Sequence, residues 1–371
     1  MKVPFFDPRP QHAPLAAQLQ HAFNSFLDQP HFILGQHVAR FEHDACQQLH
    51  VEHAIGVSSG TDALVCSLLA LGVGAGDEVI TTPFSFAATA EAIVRVGAVP
   101  RFVDVDPGTL NLDVTAMTAA ITVRTRAVIP VHLFGNPVDL DALLAVAQPH
   151  GIAVLEDAAQ AWGAQCRGRP VGGIGRLGAF SFFPSKPLGG WGDGGLIATQ
   201  DAELAERCRQ LRSHGKNAHG EFAALGGNFR LDALQAALLR VKLQQVEQWQ
   251  RERTAIAEKY SQGLADVAGL RLPEPSPHGI SAWSVYTLRV ANNGAFNRDA
   301  VRATLQQRGV DTAVYYPRPL HREVLFQRNA LQPLPVAEQA ATEVLSLPIF
   351  PGLSEQQQVY IIEQLRAICG A

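Results

Sequence analysis

A chain of 371 residues, 47% of them hydrophobic, is long enough to bury a sizeable core and to divide into more than one domain. Its 30 basic and 34 acidic residues leave a net charge of −4 without a basic run, which argues against nucleic acid or an anionic membrane as partner. The five cysteines are widely spaced and none forms a CxxC pair, so neither a disulfide framework nor a zinc site is indicated. Met1 to Pro10 lacks an apolar signal-like core and no run spans a bilayer, so the expected compartment is the cytoplasm.

From about residue 50, short apolar runs alternate with helix-like segments. Ala54–Val57 predicts a strand, Asp62–Leu71 a helix, Glu78–Thr81 a strand and Ala87–Val96 a helix. Arg101–Val105, Ala127–Val131 and Ala153–Glu156 continue as strands, with Asp113–Ala120 and Asp139–Ala147 as helices between them. This order predicts an α/β fold with a mostly parallel sheet covered on both faces, and places ligands beyond the carboxyl ends of the strands.

Gly163 to Gly195 is dense in glycine but interrupted by two apolar runs, Ala179–Phe183 and Gly195–Thr199, which read as an antiparallel pair beside a closely approaching ligand. Arg230 to Tyr260 contains no Gly or Pro and predicts one long helix. It would carry the chain from a large domain, residues 1–245, to a smaller C-terminal α+β domain, residues 246–371. There Tyr286–Val290 and Val310–Val314 read as strands, Asn297–Arg308 and Ser354–Ile368 as helices, and Tyr315–Pro335 as an ordered loop.

Three segments carry chemistry. Ser58-Ser59-Gly60-Thr61-Asp62 ends a strand and opens a helix, where free N–H groups and the helix dipole favour a phosphate; a simple N-cap by Ser59 or Thr61 accounts for it as well. Glu156 and Asp157 fall where an apolar strand runs out, and alternation lets only one of them face a given pocket. Such an aspartate could keep a pyridine nitrogen protonated, or merely cap a helix. Lys186 follows the apolar run Phe180–Phe183 and precedes Gly189-Gly190; burial there would lower its pKa and free its amine for Schiff-base formation, although most lysines in turns are only exposed.

Taken in order, Gly60–Leu64, Gly76–Ile80, Glu156–Gln160, Phe180–Lys186, Gly192–Gly195, Asn228–Ala237 and Tyr316–His321 resemble, nearly end to end, the sugar aminotransferase family named for DegT, DnrJ, EryC1 and StrS. The resemblance implies pyridoxal phosphate fold type I: a large domain with a mostly parallel seven-stranded sheet sandwiched by helices, and a smaller α+β domain. It implies that Lys186 holds pyridoxal 5'-phosphate covalently and later moves the proton, and that Asp157 meets the pyridine nitrogen. Gln160 would bond the phenolic oxygen, Phe86 cover the ring, and Gly60, Thr61 and Ser181 cradle the phosphate. Asn228 is similar to a residue that reaches the phosphate of the neighbouring subunit, which implies a homodimer with shared active sites. Arg230 and His321 match positions near the sugar nucleotide in some members, and His214 is a further candidate neighbour of the substrate.

The implied reaction moves an amino group from an amino acid, L-glutamate being the expected donor, to a keto group of a nucleotide-linked sugar, at C-3 or C-4 with a lean to C-3. Amino-sugar biosynthesis for O-antigen, other polysaccharides or antibiotics stays open. Two alternatives remain: a dehydratase of the same fold, whose members replace the lysine with histidine, and a non-catalytic regulatory protein that binds a sugar nucleotide. Lys186 argues against the first. Lys186, Asp157 and Gln160 together argue against the second.

Overall fold

The computed structural model describes residues 1–28, 31–292, 297–329 and 332–370. Seven strands form one sheet: β1 (His53–Val57), β2 (Glu78–Thr81), β3 (Val99–Phe102), β4 (Thr125–Ile129), β5 (Ala153–Asp157), β6 (Leu177–Ser181) and β7 (Gly195–Thr199). Their spatial order is β1-β7-β6-β5-β4-β2-β3. Only β7 runs against the rest, pairing antiparallel with both β1 and β6. The strands are short apolar runs because both faces are covered. Val128 and Val154 enter one core, while Ala127, Ile129 and Leu155, one residue along, enter the other.

β5 ends on two buried carboxylates that this alternation sends to opposite faces. Glu156, fully buried, accepts from the backbone N–H groups of Gly172 (2.6 Å), Ile174 (2.8 Å) and Gly175 (2.6 Å). His132 lies 3.0 Å away through Nε2. Its Nδ1 accepts from Val138 N at 3.1 Å, so the ring proton sits on Nε2 and points at Glu156. Glu156 therefore ties the glycine-rich segment to the sheet. Glu156→Leu orphans these donors, and chemical denaturation should show a loss of about 3–5 kcal/mol. A loss under about 1 kcal/mol would contradict this account.

A second lobe is built on an antiparallel sheet, β8 (Leu270–Arg271), β9 (Tyr286–Val290) and β10 (Val344–Leu347), in the order β8-β9-β10. Ile256 and Tyr260 of helix Val246–Leu264, Leu305 of Arg298–Gln307 and Ile361 of Glu355–Cys369 fill its core. Val3 packs into the same core, so the N-terminal residues join this lobe.

The predicted helix Arg230–Tyr260 is two, Ala233–Leu243 and Val246–Leu264, broken at Gln244-Gln245. The first buries Leu238, Leu239 and Leu243 in the large lobe, while the second starts there with Val246 and Trp249 and runs into the small one with Ile256 and Tyr260. Val310–Val314 is not a strand. Val310 pairs with Val3 and Ala313 with Ser346, and these partners belong to different segments. The strand predicted at Arg101–Val105 spans Val99–Phe102 instead, and Asp104 beyond its end accepts from the N–H groups of Val336 (3.0 Å) and Ala337 (2.9 Å). Helices Ala16–Asp28, Gly35–Leu49 and Ala202–Arg212 are additions to the sequence-based expectation. Among the described residues no helix is long and apolar enough to cross a membrane.

Candidate active site

A cavity of about 360 Å³ opens at the carboxyl ends of the large-lobe strands and is roofed by the small lobe. Ser59 to Thr61 enter it after β1, Ser85 and Phe86 after β2, Asp157 from the end of β5, and Ser181 from the end of β6. Ser284, Val285, Tyr315, Tyr316 and Ile349 close the far side.

Helix Gly60–Ala70 aims its N-terminus at the cavity. Ser59, in extended backbone, does cap it, its side chain accepting from Asp62 N at 3.0 Å. That bond leaves the amides of Gly60 and Thr61 to an anion, so the cap and the phosphate site coexist. Glycine is required at position 60, since a Cβ there would stand 2.7 Å from Ser181 Cβ. Asp62 is drawn away by Ser58 Oγ, which donates to it at 2.6 Å.

Asp157 is buried, at 4% exposure. Thr89 Oγ1 donates to its Oδ2 at 2.7 Å and Ala159 N to its Oδ1 at 3.2 Å. Burial pushes the carboxyl above the usual range, while these bonds and the nearby Lys186 charge oppose the shift. Lys186 sits in a tight turn, its N–H donating to Phe183 O at 2.8 Å, between Pro184 and Pro187. Burial pushes its ammonium down to about 8, against the pull of Asp157. Such an amine is a ready nucleophile near neutral pH.

Gln160 is fixed at both ends: its Oε1 accepts from Phe134 N at 2.6 Å and its Nε2 donates to Tyr316 OH at 3.2 Å. Burial raises the Tyr316 phenol far above its ordinary range. Phe86 lines the cavity with its ring open to it, at 61% exposure.

Gly60, Thr61, Phe86, Asp157, Gln160, Ser181 and Lys186 are thus brought together, and four other expected residues are not. Asn228 is exposed and pairs with Ser213, and His214 is exposed on the same loop. Arg230 is half-buried and pairs with Val57. His321 is 1% exposed, its Nε2 2.9 Å from Glu338 Oε1 and its ring beside Phe102 of β3, and it does not line the cavity. Thr89, Tyr316, Phe183, Phe5 and Phe6 line the cavity unforeseen.

The family model described as the DegT/DnrJ/EryC1/StrS aminotransferase family matches residues 15–366. The chain belongs to that family. It is 43% identical over 369 residues to the pleiotropic regulatory protein of Geobacillus stearothermophilus, covering 98% of each chain. To the UDP-N-acetyl-3-dehydro-α-D-glucosamine 3-aminotransferase of Acidithiobacillus ferrooxidans it is 42% identical over 364 residues, covering 98% of this chain and 97% of that one. The crystal structure of DesV from S. venezuelae, in complex with a ketimine intermediate, superposes with a TM-score of 0.96 at 40% identity, covering 100% of this chain and 99% of that one. The seven-stranded sheet with its small lobe is accordingly the fold type I arrangement of DegT/DnrJ/EryC1/StrS aminotransferases.

Proposed function

We propose that this sugar aminotransferase uses pyridoxal 5'-phosphate to move an amino group from L-glutamate to the C-3 ketone of a nucleotide-linked sugar. The observation that carries the reading is that Lys186 and Asp157, one amine and one carboxylate, line one cavity that begins at a helix N-terminus. The residues fit the cofactor. The amides of Gly60 and Thr61 with Ser181 would take the phosphate in a cradle that a Cβ at position 60 would fill. The carboxylate of Asp157 would face the ring nitrogen, Gln160 the phenolic oxygen and Phe86 the ring. When bound, pyridoxal phosphate supplies an electron sink for the pair left behind as a C–H bond breaks.

The chain's own groups do the rest. Asp157, held by Thr89 and Ala159, keeps a negative charge where a protonated nitrogen is needed. Lys186 would hold the cofactor through its amine, and as a free amine would take the proton from the glutamate carbon and return one to the sugar carbon from its own face. The tie from Tyr316 to Gln160 keeps the amide from turning. A ketone at C-3 is favoured by the 3-dehydro sugar in the name of the Acidithiobacillus relative.

The site is shared between two copies of this chain. Asn228 lies outside its own cavity on an exposed loop, beside Phe222 and Leu225 at 75% and 90% exposure, which supports its reaching a neighbour. Arg230 and His214 on the same segment would then serve the partner's substrate. Unpaired cysteines fit a cytoplasmic setting.

The test pairs glutamate with a panel of 3-keto and 4-keto nucleotide sugars and follows 2-oxoglutarate and amino sugar by mass spectrometry. Only the 3-keto compounds should be aminated. Conversion of glutamate without any aminated sugar would leave the cofactor standing and end the substrate reading.

A further inference from the structure

Lys242, near the end of helix Ala233–Leu243, is only 3% exposed and lies outside the cavity lining. Its ammonium donates to Gly189 O and stands 3.1 Å from His12 Nε2, with the Trp249 ring 6.0 Å away. Burial alone pushes this ammonium down to about 8, and no carboxylate among the described residues offsets its charge. A methionine would fill the same space without taking a charge out of water. The reason for a lysine therefore lies in what its Nζ holds.

It holds the turn that carries Lys186. That turn closes on itself: Lys186 N donates to Phe183 O at 2.8 Å and Gly190 N to Phe182 O at 2.7 Å, and a Cβ on Gly189 would strike Pro184 O. Gly189 O points out of the turn, to Lys242. Gln235, about two helical turns earlier on the same helix face, accepts from Trp191 N at 2.9 Å. One helix face thus grips residues 189 and 191 at two points. His12 joins the grip, its Nε2 lying 3.4 Å from Trp191 Nε1 as well as beside Lys242 Nζ. It accepts from both, so its ring proton sits on Nδ1. The segment that bears His12 is itself stitched to the small lobe, Val3 N donating to Gly309 O at 2.8 Å and Asp311 N to Val3 O at 3.0 Å.

We propose that Lys242, backed by His12, is a positioning residue for amino transfer. Through Gly189 O it fixes the backbone of the Lys186 turn, so that the Lys186 amine meets the reacting carbon squarely when it moves the proton. The proposal rests on the sugar aminotransferase reading above and names a residue outside the cavity on which its proton step depends.

The test compares wild type with Lys242→Met, which keeps the bulk and removes the donor. Kinetics with the holoenzyme run beside denaturation, and beside hydrogen exchange over residues 182–191 with and without the cofactor. The variant should lose about 10–100-fold in kcat, with KM for glutamate and for the sugar within about twofold. Deuterium at the reacting carbon of glutamate should slow the variant more than the wild type, because the proton step has become limiting. Exchange over the turn should run about tenfold faster, while global stability stays equal or rises as an apolar side chain replaces a buried charge. A mere brace gives the reverse, stability lost with kcat kept, and that result overturns the proposal. So does wild-type exchange over the turn. His12→Phe keeps a ring against Trp191 and removes the shared acceptor. It should speed exchange over the same turn and lower kcat less than Lys242→Met does, and add nothing in the double variant. Two independent, additive losses would overturn the joint grip. Failure of glutamate to convert the wild-type cofactor is a separate result that ends the aminotransferase reading, while exchange in the cofactor-free chain still decides whether Lys242 holds the turn.

Discussion

Lys186→Ala should lower amino transfer by about 10⁴-fold or more, because one side chain both anchors the cofactor and moves the proton, and general acid–base work alone contributes ~10²–10⁴. Purified wild type mixed with pyridoxal phosphate should show a visible band that borohydride fixes to Lys186, and the variant neither band nor label. The pH dependence carries a sign. Burial lowers the ammonium from 10.5 to about 8, so below that pH the group is protonated and unreactive. Capture of the aldehyde should rise about tenfold per pH unit up to about 8 and then level off, since the neutral fraction follows the pKa. An ordinary lysine would go on rising to about 10.5. A band that persists in Lys186→Ala and is fixed by borohydride to another residue would move the anchor elsewhere.

Asp157→Asn should cut kcat by about 10²–10³-fold while the fold survives, in line with the loss of one preorganised electrostatic partner. The amide keeps the size of the carboxylate and can still accept from Thr89 Oγ1. What it loses is the charge that holds a ring nitrogen protonated. The neighbouring residue gives the contrast, because Glu156 faces the other side of the sheet and bonds Gly172, Ile174, Gly175 and His132. Steady-state kinetics and denaturation run together should therefore separate the pair: activity falls at Asp157, stability at Glu156. An Asp157→Asn enzyme with near wild-type kcat would remove the carboxylate from the chemistry.

How far this site could be foreseen depends on where its residues stand. Ser59 to Thr61, Asp157, Ser181 and Lys186 lie at or just beyond strand ends, and apolar runs with abrupt polar endings are visible in a sequence. They come from separate strands, yet parallel topology brings those ends to one edge, so their meeting was legible too. Thr89 was not, because a threonine in a helix looks the same whether or not its hydroxyl meets a buried carboxylate. Phe5 and Phe6 were invisible for another reason: only the pairing of Val3 with Val310 brings them to the cavity. His321 is the opposite case, expected near the substrate and outside the cavity lining. Its motif suggested a substrate contact, and no local pattern announces that Glu338 engages its ring. The break at Gln244-Gln245 escaped because no Gly or Pro marks it in the sequence.

The stitching of Val3 to Gly309 and Asp311 also sets an order of events during synthesis. All seven strands of the large sheet have been made by Thr199, and with them Asp157, Lys186 and the Gly60 cradle. The segment around Val3, by contrast, has nowhere to dock until roughly 300 more residues have followed it, a wait of tens of seconds at typical elongation speeds. Phe5 and Phe6 are made long before Tyr315 and Phe350, the rings they meet. A nascent chain thus owns its reactive lysine well before it owns a ceiling.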